Sequence, residues 1–401
     1  MRKTVTIGDL GTIITGKTPP TTNKNYYGDY AVFIKPTDIS EQSKYTYETE
    51  EMYSKLAAEK YASSLIPKGA ICVPCIGTIG TKMTMAPCDC YTNQSINSIV
   101  CNENYDNEYV YYLIKNFLPG LKAYNLGTAS GREYVSKSNF EKIELVAEHD
   151  KELQRRIGKI LSRYDSLIEN YQKQIKLLEE AAQRLYKEWF VDLRFPGHEN
   201  TKIVNGIPEG WEKKRIGEIC NINKTSISDN YAYDLVCYTD LGNVREGRLK
   251  EPKIYIYGQE PGRAKRIVKD GDIIWGMVRP NLKSYALIQN PMPQDIFSTG
   301  FAVLSAHSVP FSFLYCAVTT ENFVGYLINC TNGAAYPAVK AEHFEKAELL
   351  IPSETLLDKF NMIAAPLYRK SGKLSSQIRL LTEARDRLLP KLLNGEINVE
   401  L

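Results

Sequence analysis

Phe140-Glu141-Lys142-Ile143-Glu144-Leu145 returns later in the chain as Phe344-Glu345-Lys346-Ala347-Glu348-Leu349. Four further pairs keep the same order. Ile7-Gly8-Asp9-Leu10 matches Ile216-Gly217-Glu218-Ile219, and Thr37-Asp38-Ile39 matches Thr239-Asp240-Leu241. Lys68-Gly69-Ala70-Ile71 matches Asp270-Gly271-Asp272-Ile273, and Gln174-Ile175-Lys176-Leu177-Leu178 matches Gln377-Ile378-Arg379-Leu380-Leu381. The offset runs from 202 (Thr37 to Thr239) to 209 (Ile7 to Ile216). One such match is weak, but five in one order mark a duplicated chain, and a repeat must be recognised before any other pattern is interpreted.

Each copy has the same internal plan. A first stretch mixes short β-like runs, such as Ala70-Ile71-Cys72-Val73, Ile273-Ile274-Trp275 and Phe301-Ala302-Val303-Leu304, with Gly, Pro, Asn and Thr punctuation. A long helical stretch follows. The first is expected from about Asp150 to Phe190, ending near Pro196-Gly197. The second is expected from Ser353, a suitable N-cap, to Gly395, a suitable stop. Both carry heptads. Ile168, Ile175, Ala182 and Trp189 form one line, with Tyr171, Leu178 and Leu185 on the other. Leu374, Leu381 and Leu388 answer them, with Ile378 and Leu392 alongside. Two apolar stripes at this spacing predict a coiled coil; the alternative is that each packs on its own domain. Arg385 stands where the first helix has Ala182, which suggests an asymmetric contact. Pro366 and Pro390 are expected to kink or interrupt the second helix.

The expected fold is therefore α+β. Two homologous α/β domains are separated by long helices, which pack antiparallel with pseudo-two-fold symmetry. A helix of about 40 residues is about 60 Å long. DNA half-sites on one face lie about 34–36 Å apart or at multiples of that. Such a ruler suits a bipartite DNA site, and equally a protein scaffold.

Bulk properties bound the function less tightly. The 401 residues allow two or three domains. A net charge of +3, from 50 basic and 47 acidic residues, neither demands nor excludes nucleic acid. If DNA is the ligand, its cations must be concentrated on one surface. No run of about 18 apolar residues predicts a membrane span, and Met1-Arg2-Lys3-Thr4-Val5-Thr6 lacks the apolar core of an export signal. Nine cysteines, an odd number, are then expected as reduced thiols in a cytoplasm.

Several segments resemble the specificity subunits of type I restriction–modification enzymes. Gly16-Lys17-Thr18-Pro19-Pro20, Tyr26-Tyr27-Gly28-Asp29-Tyr30 and Ile34-Lys35-Pro36-Thr37-Asp38-Ile39 resemble the start of a target-recognition domain in that family. Leu185-Tyr186-Lys187-Glu188-Trp189-Phe190-Val191-Asp192-Leu193-Arg194-Phe195-Pro196 resembles the end of its central helix. Ile207-Pro208-Glu209-Gly210-Trp211-Glu212 resembles the lead-in to the second recognition domain. Ser298-Thr299-Gly300-Phe301-Ala302-Val303-Leu304 and Leu388-Leu389-Pro390-Lys391-Leu392-Leu393-Asn394-Gly395-Glu396-Ile397 are similar to later segments. The likeness covers essentially the whole chain in order, although the first copy lacks the Pro-x-Gly-Trp that the second keeps. It implies target-recognition domains over residues 1–148 and 207–352, a central helix over 149–195 and a C-terminal helix over 353–397. It also implies a subunit that reads DNA and does no chemistry. Two modification subunits would bind S-adenosylmethionine and methylate adenine in each half-site, and restriction subunits that translocate DNA with ATP and magnesium can join them.

Three motifs point elsewhere. Gly11-Thr12-Ile13-Ile14-Thr15-Gly16-Lys17-Thr18 satisfies the P-loop pattern, but Pro19-Pro20 follows where a phosphate site needs a helix N-terminus. Cys72, Cys75, Cys88 and Cys90 have zinc-like spacing, but the second copy has no counterparts, and Cys72 lies in an apolar run where a thiol is a small buried group. His149, His198, His307 and His343 belong to no triad or metal pattern. The chain also lacks the Asn/Asp-Pro-Pro-Tyr/Phe motif of an adenine methylase. No catalytic residue, metal or cofactor is therefore expected in this chain.

Direct reading of DNA uses Arg or Lys for guanine, Asn or Gln for adenine, and Ser or Thr for either. The candidates in the first copy are Lys17, Thr18, Lys35, Thr37, Thr78, Lys82, Arg132 and Tyr134. In the second they are Arg245, Arg248, Arg279, Asn281, Lys283, Tyr336 and Lys340. Any one of them taken alone reads as well as a solvated surface group. Val278-Arg279-Pro280-Asn281-Leu282-Lys283 is the densest stretch, with two cations and an amide directly after an apolar strand. The competing functions are a coiled-coil scaffold without DNA specificity and a self-contained nuclease or methylase.

Overall fold

The structure is a computed structural model that describes all residues except 1, 78, 128–132, 229–230, 332–336 and 400–401. The chain forms two compact units, one of residues 1–172 with 377–401 and the other of residues 173–376. The division falls inside both long helices, so each unit owns a globular part and a length of each helix.

In the first unit the globular part is closed by its own ends. Strand β1 (Arg2–Thr6) pairs antiparallel with β6 (Glu144–Glu148), Arg2 opposite Glu148. Between them lie β2 (Gly11–Thr15), β3 (Ile71–Pro74), β4 (Thr84–Met85) and β5 (Ile96–Cys101), hydrogen-bonded in the order β2-β5-β3-β4. A second small sheet holds Tyr27–Gly28, Met52–Tyr53, Ala31–Ile34 and Tyr91–Thr92, the last two parallel. Period-two alternation explains the apolar runs. Ile71 and Val73 face the main core with helix α1 (Asn107–Phe117), whereas Cys72 faces a second core with Ile34, Ile66 and Ile96. Directly after β6, Asp150 caps helix α2 (Lys151–Tyr186): its carboxylate accepts from the Glu152 amide at 2.9 Å and the Leu153 amide at 3.2 Å. The closing strand therefore launches the long helix.

The second unit repeats this plan. β7 (Glu212–Arg215) pairs with β12 (Glu348–Ile351). β8 (Cys220–Ile222), β9 (Ile273–Gly276), β10 (Tyr285–Leu287) and β11 (Phe301–Ala306) form a sheet in the order β8-β11-β9-β10, beside helix α3 (Phe311–Val318). Ile273 and Trp275 face one core and Ile274 the other. Helix α4 (Glu354–Asn394) follows Ser353 and ends at Gly395, whose φ of +75° is the left-handed turn that glycine adopts without strain. Pro366 and Pro390 do not interrupt α4, contrary to the expectation from sequence. Each ring removes one amide donor, and the carbonyls left over belong to Met362 and Asp386, both exposed residues open to water.

Within each unit the two helices run antiparallel. In the first, Ile157 and Leu161 of α2 share a core with Leu389, Leu392 and Leu393 of α4. In the second, Tyr186 of α2 and Trp189 and Phe190, in the π-helical turn that follows it, pack their rings on Phe360, with centroids 5.1–6.2 Å apart. The seam positions Ile168, Ile175, Ala182 and Leu374 are buried, and Tyr171, Leu178, Leu185, Ile378, Leu381 and Leu388 are half-buried.

Candidate nucleic-acid interface

The chain leaves each central strand into a junction that recurs in both units. After β3, the Cys75 amide donates to Ser95 at 2.7 Å, the Gly77 amide to Glu133 at 2.9 Å, and the Val135 amide to Cys75 at 2.9 Å. After β9, the Met277 amide donates to Gly300, the Arg279 amide to Pro337 and the Val339 amide to Met277, each at 2.8 Å. The frame is the same and the side chains differ.

In the second unit most of the sequence candidates meet at this junction. Arg279 and Lys283 flank the tight turn Pro280–Leu282, with φ of 50° and 52°. A left-handed conformation costs a non-glycine residue roughly 1–2 kcal/mol. The position equivalent to Arg279 in the first unit is Gly77, where φ is +84° and a Cβ would meet nothing within 4 Å among the described residues. The first unit thus fills this backbone position without strain, and the second unit holds an arginine there in spite of it. The hairpin of Val244–Arg245 with Arg248–Leu249 lies alongside, its Glu246 amide donating to Lys283 at 2.8 Å. Exposed Arg245 and Asn281 belong to this group, and Lys340 begins the helix just after Val339.

Several of these cations already have carboxylate partners. Lys283 pairs with Glu321 at 2.5 Å, and Arg248 reaches Glu179 of α2 at 3.1 Å. Lys340 lies 3.9 Å from Glu342. Burial raises the Glu179 carboxyl above its usual range, against the pull of Arg248 and a hydrogen bond from Ser371. Arg248 thus contacts the helix while remaining exposed.

In the first unit the candidates fall into two adjoining groups. Lys17 and Thr18 lie against the Thr92–Gln94 turn: the Lys17 amide donates to Thr92 at 2.9 Å and the Thr18 hydroxyl bonds Gln94. Lys35 is near by, since the Asn93 amide donates to Ile34 at 3.1 Å, and exposed Thr37 follows. Lys35 is half-buried and ion-paired to Glu50 at 2.7 Å and Glu51 at 3.1 Å. Lys82 and Tyr134 belong to the second group, Tyr134 bridging to Ile76. Thr78, Arg132 and Tyr336 lie outside the described residues.

The misleading motifs resolve into structure. Gly11–Thr15 is a strand zipped onto β5, not a phosphate loop. Gly16 is needed because a Cβ there would lie 2.1 Å from the Thr92 carbonyl. Cys72 and Cys75 are buried, their thiols pushed up to about 12 by desolvation, and each donates to a backbone carbonyl two residues back. Among the described residues no three His, Cys, Asp or Glu converge as a metal site. His343 accepts from the Lys340 amide at 3.1 Å, a helix-capping contact.

Sequence reasoning missed Lys224, Arg263, Lys265 and Arg266. They flank the same junction, because the Thr299 amide, next to Gly300, donates to Arg263 at 2.8 Å. A local signal existed in Arg263-Ala264-Lys265-Arg266, three cations in four residues.

A family model described as the type I restriction modification DNA specificity domain matches residues 2–180 and 208–355. The MjaIX type I restriction enzyme specificity subunit of Methanocaldococcus jannaschii is 27% identical over 418 aligned residues, covering 98% of this chain and 93% of that protein. The HindI specificity subunit of Haemophilus influenzae is 34% identical over 177 residues, 43% of this chain and 38% of that one. The crystal structure of a type I restriction–modification S subunit from M. genitalium superposes with a TM-score of 0.59 at 17% identity, covering 98% of this chain and 96% of that one.

Proposed function

The chain belongs to the family of type I restriction–modification DNA specificity proteins, and from that premise we propose that each of its two units reads one half of a bipartite DNA site. It is a DNA-recognition subunit of a restriction–modification system and is not itself the catalyst. The long helices hold two adenine-methylating modification subunits, which carry the S-adenosylmethionine. Restriction subunits that use ATP and magnesium join the same assembly. The complex works on double-stranded DNA in the cytoplasm; no described helix is long and apolar enough to cross a membrane.

One observation carries the two-reader function. The same hydrogen-bonded junction holds Gly77 in one unit and Arg279, at a strained backbone position, in the other. A constant frame with variable side chains is what two different half-sites require, because phosphate contacts set position and base contacts set specificity. The arginine brings to this position a side chain that fits guanine, the base edge arginine reads best.

The test uses Arg279→Gly, a change the backbone accepts. The variant is assembled with the modification subunits and titrated with duplexes carrying the intact site or one scrambled half. Binding to the intact site should weaken by about 1–3 kcal/mol, with discrimination lost at one half-site and kept at the other. Equal loss of discrimination at both halves would refute two independent readers.

A further inference from the structure

We propose that Lys224, Lys265 and Arg266 form a clamp for the DNA phosphate backbone on the second unit, flanking the Arg279 loop. The clamp rests on the DNA-reading function given above.

Arg266 lies on the edge strand Ala264–Ile267, which pairs with Asp295–Ser298. Its partner across that ladder is Phe297, a core residue, so Arg266 shares a sheet face with buried apolar groups. On its other side the strand meets Thr225–Ile227: Ser226 bridges to Arg266, and the Ile227 amide donates to Lys265 at 2.8 Å. Lys224 immediately precedes that segment. A β-bulge between Ala264 and Arg266 breaks the regular alternation at Lys265, and bulges re-aim side chains.

Arg266 is half-buried and its Nε is wholly buried without a hydrogen-bond partner. No carboxylate pairs with it among the described residues. Desolvation lowers its pKa, as expected for a cation held against apolar groups without an anion. Lys265 and Lys224 are exposed, and neither has an ion-pair partner among the described residues. Among the described residues the carboxylate nearest Arg263 is Asp240, 4.0 Å away. Lys35, Lys283 and Arg248 contrast with this row, since each has a carboxylate within 3.1 Å. Burying a cation without a counter-charge is unfavourable, so a bound anion has most to offer here.

The row suits phosphate in particular. Arginine presents a planar fork to phosphate oxygens, and lysines add point charges. The row also lies beside the base-reading loop, through the bonds from Thr299 to Arg263 and from Met277 to Gly300. Grip on the backbone next to a reading loop would set that loop's register on the duplex.

The experiment uses the complex assembled with its modification subunits, on a duplex site selected from a random library. Affinity is measured against salt for wild type, for Lys224→Gln/Lys265→Gln/Arg266→Gln, and for Arg266→Lys. Each phosphate left without its cation should reduce the slope of log K on log salt by about 0.9, so the triple variant should fall short of wild type by roughly 2–3. Its preference for the intact site over one scrambled in the second half should be unchanged. Arg266→Lys should keep the wild-type slope, which separates charge from folding. An unchanged slope with DNA binding intact overturns the clamp and leaves the DNA-reading function standing. A wild-type complex that selects no sequence at all overturns that function itself. Loss of the modification subunits from the triple variant, seen by sedimentation, overturns the clamp in favour of a protein contact.

Discussion

The two units place the same three structural positions together and fill them with opposite chemistry. In the first unit, Tyr112 of α1 donates to Asp165 of α2, and Arg385 of α4 completes the cluster by pairing with Asp165. All three are buried. The equivalent positions in the second unit are Cys316 of α3, Tyr368 of α4 and Ala182 of α2. Cys316 and the Tyr368 hydroxyl lie 3.0 Å apart, and the Cys316 thiol contacts the Ala182 carbonyl at 4.0 Å. One unit thus joins its helices to its globular part through a buried ion pair, the other through neutral groups. The first unit adds a second buried cation, Lys44, paired with Glu108 and lying 5.1–5.3 Å from the rings of Tyr45, Tyr111 and Tyr112. Duplication conserved the contact and not its chemistry. The penalties for damage should therefore differ, because a buried charge left alone costs far more than a missing neutral hydrogen bond.

Removing one charge is the hardest blow to that contrast. Asp165→Ala should destabilise the first unit by roughly 3 kcal/mol, since Arg385 keeps only the more exposed Asp386, 2.8 Å away, and the buried Tyr112 hydroxyl loses its acceptor. Urea unfolding measures this, and Asp165→Ala/Arg385→Ala should recover part of the loss. If the single variant costs no more than a neutral deletion, the two clusters are energetically alike and the contrast fails. In the second unit, Tyr368→Phe should cost about 0.5–1.5 kcal/mol, the worth of one hydrogen bond. At the junction after β9 the backbone works in the opposite direction: Arg279→Gly relieves a left-handed conformation, which offsets the loss of the arginine's own contacts, so the second unit should change by no more than about 1 kcal/mol, read from its thermal midpoint. A larger loss would mean that Arg279 serves chiefly the fold. The smallest effect concerns Glu179. Its folded pKa is raised by burial, so its ionised form opposes folding above that pKa, and protonation removes the penalty as pH falls. Wild type should therefore gain stability relative to Glu179→Gln as pH is lowered from neutral through the raised pKa. A constant difference across that range would remove Glu179 from the account.

Much of the architecture was legible before the structure. The repeated motifs marked the duplication, and the apolar runs Ile71–Val73 and Ile273–Trp275 read as strands; their burial on both faces came from the structure. Ser353 and Gly395 marked the ends of α4 correctly. The prolines do not break α4 as an interruption would have required, because local propensity takes no account of whether an orphaned carbonyl can reach water. Many of the 27 tyrosines, such as Tyr53, Tyr109, Tyr111, Tyr315 and Tyr368, are core residues.

The sequence by itself determined the duplication, the strands, the long helices and the loop that carries Arg279, because these follow from periodicity and local turn chemistry. Only the tertiary structure decided which charges are already paired. Asp165 lies 220 positions before Arg385, Glu179 lies 69 before Arg248, and neither pairing leaves a local trace. The same holds for Arg266, whose lack of an anion is a property of everything folded around it. Charge pairing depends on distance in space and on burial, and neither is written in the order of the residues.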